Sequence, residues 1–259
     1  TSLLNIIKHS HRNKKALYLM STDIRKAFDT VSHSSFLQSL EIIGYGQNFI
    51  DLMSNLQSDF KCSVRTPHGL SEKFDIQQGC KQGCALSPLR FILVYDIFLK
   101  YLEDKRYGYK WNTYTALTPE QETLLPNKDG QVIIPGFAFM EDMVTISDTP
   151  EEMVEMIGHF DRFLTAVGLS IQATKCHYSA INVSEGSPPM PIQVTNHLGQ
   201  MIDIPISGPD VPLEYLGYLI RLDDTNPTKE WALHNNKIKT KVMNAAHRLK
   251  KSRLKGPEA

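Results

Sequence analysis

The chain has 259 residues, 41% hydrophobic and 22% charged, an ordinary globular composition long enough for one large domain or two small ones. No apolar run reaches membrane-spanning length. Four cysteines (Cys62, Cys80, Cys84, Cys176) make no paired framework, which points to a reducing intracellular compartment, nuclear or cytoplasmic, over secretion. The formal net charge of zero hides an asymmetry: residues 228–259 carry nine Lys or Arg against Glu230 and Glu258, leaving a net +7 there and −7 on residues 1–227. A basic end on an acidic body suits a polyanionic partner, and equally a solvated helix face. The chain opens on Thr1 and not on Met, as expected of a piece of something longer.

In chain order, Leu3, Leu4 and Ile7 have helical spacing over 2–10. Ala16 to Met20 is an apolar run of strand length that delivers Asp23 at its C-terminal end, where a metal ligand or a helix cap is expected. Two scaffold helices follow, one ending at Gly44 and one carrying Phe49 to Leu56. Residues 61–65 and 73–76 read as short strands joined across Pro67-His68-Gly69. Gln77 to Pro88 is a loop with two glycines, three amides and a lysine. Ser87 is expected to cap, and Pro88 to open, a buried helix through Phe91, Val94, Tyr95, Phe98 and Leu102. Cys80 and Cys84 have the spacing of half a zinc site, but the other Cys/His neighbours, Cys176-His177, fall short of the paired clusters structural zinc wants.

Residues 103–131 are polar and read as a surface excursion. Next, two apolar, strand-like runs flank the adjacent acids Glu141-Asp142, which predicts a hairpin whose turn breaks the usual Asn-Gly or Asp-Gly rule. A turn that breaks its local rule is a place to look for function, although a solvated acidic turn has the same pattern. Asp148 to Glu152 gives a cap, a proline and early acids for a helix lined by Met153 to Val167 and stopped at Gly168. Short strands are expected at 169–171, through Ile181, at 192–194, at 201–204 and at 215–220. A lysine-rich helix begins near Thr228.

A strand-end Asp, a glycine-rich loop before a buried helix, and a hairpin of adjacent acids suit two-metal phosphoryl transfer, which needs carboxylates from separate strands. At these residues the chain resembles the reverse transcriptase domain, most like the non-LTR retrotransposon type. Asp23-Ile24-Arg25-Lys26-Ala27-Phe28-Asp29 is similar to that family's motif A. Gln78 to Pro88 is similar to motif B, Phe139-Met140-Glu141-Asp142 to motif C, Gly168 to Lys175 to motif D, and Tyr215-Leu216-Gly217 to motif E.

The resemblance implies an α+β fold: a right-hand polymerase palm with an antiparallel sheet flanked by helices. The palm, with partial fingers, would span 1–227 with the polar insertion at about 103–131. Residues 228–259 would start a basic helical thumb. It further implies an RNA-directed DNA polymerase that adds deoxynucleotides to a primer 3′-OH on an RNA template, with a DNA or RNA primer and two Mg²⁺ (or Mn²⁺) ions; it implies no membrane and no oligomer. By position, Asp23, Glu141 and Asp142 would hold the metals, with the carbonyl of Ile24 as a further ligand. Phe28 would be the gate against a 2′-OH or, on the bland reading, a core residue. Gln82 and Gly83 would lie against nucleotide and template, Lys175 near the departing pyrophosphate or simply at the surface, and Tyr215, Leu216 and Gly217 on the primer.

The chain departs from the family pattern at Glu141, where the pattern has Asp, and at Gln78, Arg90 and Gln172. The fingers motifs expected before motif A are absent, so the piece is expected to be a palm plus the start of a thumb. Two alternatives stand beside the polymerase: a degenerate or domesticated palm that binds nucleic acid or a protein without catalysis, and an RNA-directed RNA polymerase. Phe28 speaks against the second, because an RNA polymerase has no need to exclude the 2′-OH.

Overall fold

The computed structural model describes residues 2–58, 61–76, 78–79, 86–112, 131–223, 237, 239–240 and 243. The chain forms two compact units, residues 1–208 and 209–259. The expected palm–thumb boundary at 227/228 and most of the expected last helix lie outside the described residues.

In the first unit α1 (Ser2–Asn13) leads into β1 (Leu17–Thr22), followed by α2 (Ala27–Thr30), α3 (His33–Ile43) and α4 (Gln47–Ser58). Four two-residue strands come next: β2 (Lys61–Cys62), β3 (Arg65–Thr66), β4 (Gly69–Leu70) and β5 (Phe74–Asp75), with β2 on β5 and β3 on β4. Then follow α5 (Leu86–Asp104), β6 (Tyr109–Asn112), β7 (Gln131–Ile134), β8 (Gly136–Phe139), β9 (Asp142–Ser147) and α6 (Pro150–Ala166). A 3₁₀ turn at Ala173–Lys175, β10 (His177–Ile181), β11 (Gln193–Thr195) and β12 (Met201–Asp203) complete the unit.

The central element is β1. It is buried on both faces and paired on both edges, with β10 on one side and β9 on the other, in an antiparallel sheet of order β10-β1-β9-β8. One face, carrying Tyr18, Met20, Met143, Tyr178 and Ala180, packs into the main core with α5 and α6. Phe98 of α5 lies 4.8 Å from Phe160 and 5.4 Å from Phe163. Leu19, Ile146 and Ser179 stand on the opposite face, also buried and outside that cluster.

Local signals explain the helix ends. The Thr149 hydroxyl accepts from the Glu152 amide, Pro150 opens α6, and Gly168 follows its end at φ 79°. Ser32 caps α3, and Gly44 closes it in the left-handed region. Asp161, buried on α6, accepts three hydrogen bonds, two from the Thr195 amide and one from its hydroxyl, which tie the helix to β11. No described helix is long and apolar enough to cross a membrane.

Several expectations shift. Helix α5 starts at Leu86, so Ser87 and Pro88 lie inside its first turn instead of forming cap and first residue. The polar excursion is shorter at both ends: α5 runs on to Asp104, and β6 pairs with β7. At 169–171 only Ile171 makes a bridge, to Ile24. In the second unit Tyr215 to Ile220 is not one strand but a hairpin, β13 (Leu213–Tyr215) with β14 (Tyr218–Ile220). Its turn residues Leu216 and Gly217 both have positive φ, 50° and 80°, as a tight two-residue turn requires.

Phe160 is fully buried between the aromatic rings of α5 and the sheet, so truncating it leaves a cavity in the layer that supports the site. Phe160→Ala is expected to destabilise the fold by about 3–5 kcal/mol, read as a lower urea midpoint with an unchanged slope.

Candidate active site

Three of the sequence-predicted residues come together at one end of the sheet. The pairing of β1 with β9 ends at Thr22 opposite Met143, so one more step sets Asp23 opposite Asp142. The pairing of β1 with β10 ends at Ser21 opposite His177; beyond it the chain passes through the 3₁₀ turn Ala173–Lys175, which brings the Lys175 side chain to Asp23. Asp23 and Asp142 thus form a row across β1 and β9, with Lys175 of the 3₁₀ turn beside it. Lys175 Nζ lies 3.7 Å from Asp23 Oδ1, a loose pair with both side chains well exposed. Phe139 of β8 faces Asp142 from the fourth strand.

The chain holds Asp23 by its backbone. Its carbonyl accepts from the Gln172 amide at 2.8 Å, and the Arg25 amide donates to Ser170 O at 3.0 Å. These two bonds frame the Ile24–Ile171 bridge, so Ile24 buries its side chain in the core while its own carbonyl is turned away from residue 171. Two like charges directly opposite on a sheet are unfavourable, and Lys175 offsets this only in part at such exposure. The Asp23–Asp142 pair is thus an arrangement a cation would relieve.

The hairpin turn sits one residue earlier than expected. Phe139 pairs with Asp142, so the two-residue turn is Met140-Glu141, and Asp142 is the first residue of β9. Met140 takes φ 53°, a region that a Met side chain occupies only under strain. Glu141 is thereby on the turn and not in the row. Among the described residues no group of three His, Cys, Asp or Glu is gathered closely enough to hold a metal ion. The facing pair Asp23 and Asp142 does suit Mg²⁺, which takes one or two carboxylates and completes its shell from phosphate and water.

Below the turn lies Tyr95 of α5, which the sequence marks only as part of a buried stripe. Burial first, then the nearby Glu141 and Asp142 carboxylates, push its phenol far above its ordinary range, so it stays protonated. Cys176 is also pushed up, to about 11, chiefly by burial, which outweighs the lowering by a hydrogen bond with the Asp23 backbone; the Asp23 carboxylate adds a smaller rise.

The start of the glycine-rich loop is locked to the segment after Asp23. The Gly79 amide donates to Val31 O at 2.8 Å, its carbonyl meets His33 Nε2 at 2.8 Å, and Ser32 bridges Gln78. Gly79 has φ 87°, and a Cβ there would stand 2.7 Å from Asp29 O and 2.9 Å from Phe28 O. Phe28 is half-buried, edge-on to Phe91 at 4.8 Å. Arg90, where the chain departs from the family pattern, is buried with its guanidinium 5.0 Å from the Phe36 ring centroid. His33, which the sequence reading passed over, carries no signal beyond its place beside the Ser32 cap. Gln82 and Gly83 lie outside the described residues. In the second unit Tyr215, Leu216 and Gly217 form the β13–β14 hairpin tip, where Lys237 pairs with Glu214 and donates to Gly217 O.

The model of the family described as reverse transcriptase (RNA-dependent DNA polymerase) matches residues 1–220. The chain is 29% identical over 171 residues to the Pol polyprotein of the type-2 retrotransposable element R2DM of Drosophila melanogaster, covering 66% of this chain and 14% of that protein. It is 29% identical over 186 residues to the Pol polyprotein of a type-1 retrotransposable element R2 of Popillia japonica, covering 71% and 24%. The chain thus spans under a third of the length of these relatives. Among solved structures, apo telomerase from Candida tropicalis superposes with a TM-score of 0.52 at 12% identity, covering 85% of this chain and 35% of that one.

Gly79→Ala is expected to destabilise the chain by about 1–3 kcal/mol, since both the left-handed φ and the contact with the residue 28–29 backbone must give way; urea denaturation reads it. At pH 8, well below its raised pKa, Cys176 is held as the unreactive thiol. Iodoacetamide is therefore expected to leave Cys176 unmodified in the folded chain and to alkylate it once guanidinium unfolds the protein, as peptide mass mapping would record.

Proposed function

We propose, from the premise that this chain belongs to the reverse transcriptase (RNA-dependent DNA polymerase) family, that it is the polymerase core of a retroelement protein of the non-LTR type. Residues 1–227 act as palm with partial fingers, and the basic segment 228–259 as the start of a thumb on the nucleic-acid backbone. The reaction is addition of deoxynucleotides to the 3′-OH of a DNA or RNA primer on an RNA template. The observation that carries this reading is the sheet row in which Asp23 faces Asp142 with Lys175 alongside.

Asp23 and Asp142 are the carboxylates that would hold divalent metal, Mg²⁺ or Mn²⁺ as two ions, with Glu141 and the Ile24 carbonyl as further ligands. Metal so held would favour the ionised primer hydroxyl and stabilise negative charge on the phosphates. The chain's own groups do the rest. Lys175, well exposed and only loosely paired with Asp23, would meet the departing pyrophosphate with an N–H donor. Phe28, fixed by its contact with Phe91, walls off the position of a ribose 2′-OH and so favours deoxynucleotides. Gln82 and Gly83 lie against the incoming nucleotide and template, and the Tyr215-Leu216-Gly217 tip grips the primer. Lysine contacts to phosphate make binding salt-sensitive.

One observation favours a second reading. Glu141 stands on the turn outside the row, and no three-donor group is gathered among the described residues. That is what a catalytically impaired palm, kept as a nucleic-acid-binding or protein-interaction module, would look like.

Primer extension on an RNA template decides between them. It is measured with the 259-residue chain, and with any longer polypeptide that contains it, in Mg²⁺ and in Mn²⁺. Extension is expected, with Asp23→Ala and Asp142→Ala each lowering the rate by at least about 10²-fold while RNA binding persists. Binding without extension in either metal, unrescued by Glu141→Asp, selects the binding module.

A further inference from the structure

Phe28, read above as the wall against a ribose 2′-OH, stands on α2, a single turn of helix. A helix that short does not hold itself. It opens at Lys26 in the left-handed region, φ 46°, with no side-chain cap. Support for Phe28 therefore comes from outside α2. On the ring side it is Phe91, edge-on at 4.8 Å. On the backbone side it is Gly79, which lies so close to the Phe28–Asp29 peptide that a Cβ would stand 2.9 Å from Phe28 O and 2.7 Å from Asp29 O.

Gly79, at φ 87° and without a side chain, needs restraint of its own. Two hydrogen bonds supply it. Its amide donates to Val31 O at 2.8 Å, and its carbonyl lies 2.8 Å from His33 Nε2. A carbonyl can only accept, so Nε2 is the ring nitrogen that carries the hydrogen. His33 is firmly anchored: it is the first residue of α3, directly after the Ser32 cap, and the Ser32 amide donates to Val167 O just past α6. The bond to Val31 alone would let the Gly79 carbonyl turn about that tie. The imidazole fixes the other end.

We propose that His33 is a positioning residue that determines sugar specificity. Its Nε2–H latches the Gly79 carbonyl, holds the Gly79 backbone against the Phe28–Asp29 peptide, and so sets the angle at which the Phe28 ring meets the sugar. The imidazole itself touches no substrate. The inference rests on the reading of Phe28 as the gate against a 2′-OH.

The latch is tested first without nucleic acid, in the 259-residue chain, by NMR exchange of the Gly79 amide, which is slow while that residue is held against Val31 O. Two variants remove the donor: His33→Leu, and the polar His33→Asn, whose amide stops at the reach of Nδ1. His33→Gln carries an N–H to the reach of Nε2. Exchange is expected to rise at least about tenfold in His33→Leu and His33→Asn and to stay at the wild-type rate in His33→Gln. Unchanged exchange in both donor-deprived variants overturns the latch. Sugar selection is then measured in primer extension, as the ratio of kcat/KM for a deoxynucleotide to that for its ribonucleotide. Loss of the donor is expected to lower this ratio about tenfold, and His33→Gln to keep it. A wild-type ratio in His33→Leu and His33→Asn, as a fall in rate equal for both sugars would give, overturns the specificity role. Combined with Phe28→Ala, His33→Leu is expected to change the ratio no further. A chain that extends no primer, or a Phe28→Ala chain with the wild-type ratio, overturns the gate reading and the sugar-selecting role with it. The exchange result still stands for or against the His33 latch.

Discussion

The candidate site depends on the register of β1 between its two neighbours. Antiparallel pairing with β9 sets Asp23 and Asp142, far apart in sequence, in one row, and the turn leading into β10 brings Lys175 beside it. Residues directly opposite on an antiparallel pair have Cα atoms roughly 4.5–5.5 Å apart, so side chains only a few atoms long can meet. A slip of one residue would send every side chain of β1 to the other face. That slip is resisted by the core itself: Tyr18 and Met20 are buried against α5 and α6, and Leu17 and Leu19 are buried on the opposite face. The apolar packing under the sheet is therefore what aligns the charges at its end.

The segment after Asp23 is held by a different device, close backbone approach. Gly79 meets residues 28 and 29 without a Cβ between them, and Val31 and His33 bond its amide and carbonyl. On the other side, residues 170 and 172 bond the backbone around Ile24. The chain leaving β1 is clamped between the loop that precedes α5 and the turn that follows α6. This fixes Phe28 against Phe91 and leaves Asp23 at the open end of the strand.

Much of this was legible in the sequence where the signals are periodic or carry caps. The run through Leu17 to Met20 reads as a buried strand, and Thr149, Pro150 and Gly168 bound α6. The hairpin around Glu141-Asp142 was also legible, but its turn was not. The apolar, β-favouring residues run right up to the acids, and nothing in a methionine announces a positive φ. The same holds for Leu216, so Tyr215 to Ile220 reads as one strand although only Gly217 permits its turn freely. Strand β6 was hidden because it pairs with a strand beyond a polar stretch. Arg90, among apolar neighbours on α5, reads in the sequence only as a departure from the family pattern. Its partner ring, Phe36, lies on α3, and that contact belongs to the tertiary structure alone.

The one-residue displacement of the turn changes what the adjacent acids are. As the two residues of a turn, Glu141 and Asp142 would be equivalent in kind, both projecting from a loop. With the turn at Met140-Glu141, Asp142 becomes a strand residue whose direction the ladder dictates, while Glu141 keeps the freedom of a turn position. The strained φ of Met140 is what allows β9 to begin as early as Asp142. A relaxed, longer turn would release Asp142 from the ladder and remove it from the row with Asp23. Strain at the tip is thus exchanged for order at one carboxylate, and the second carboxylate is left to be placed by its surroundings.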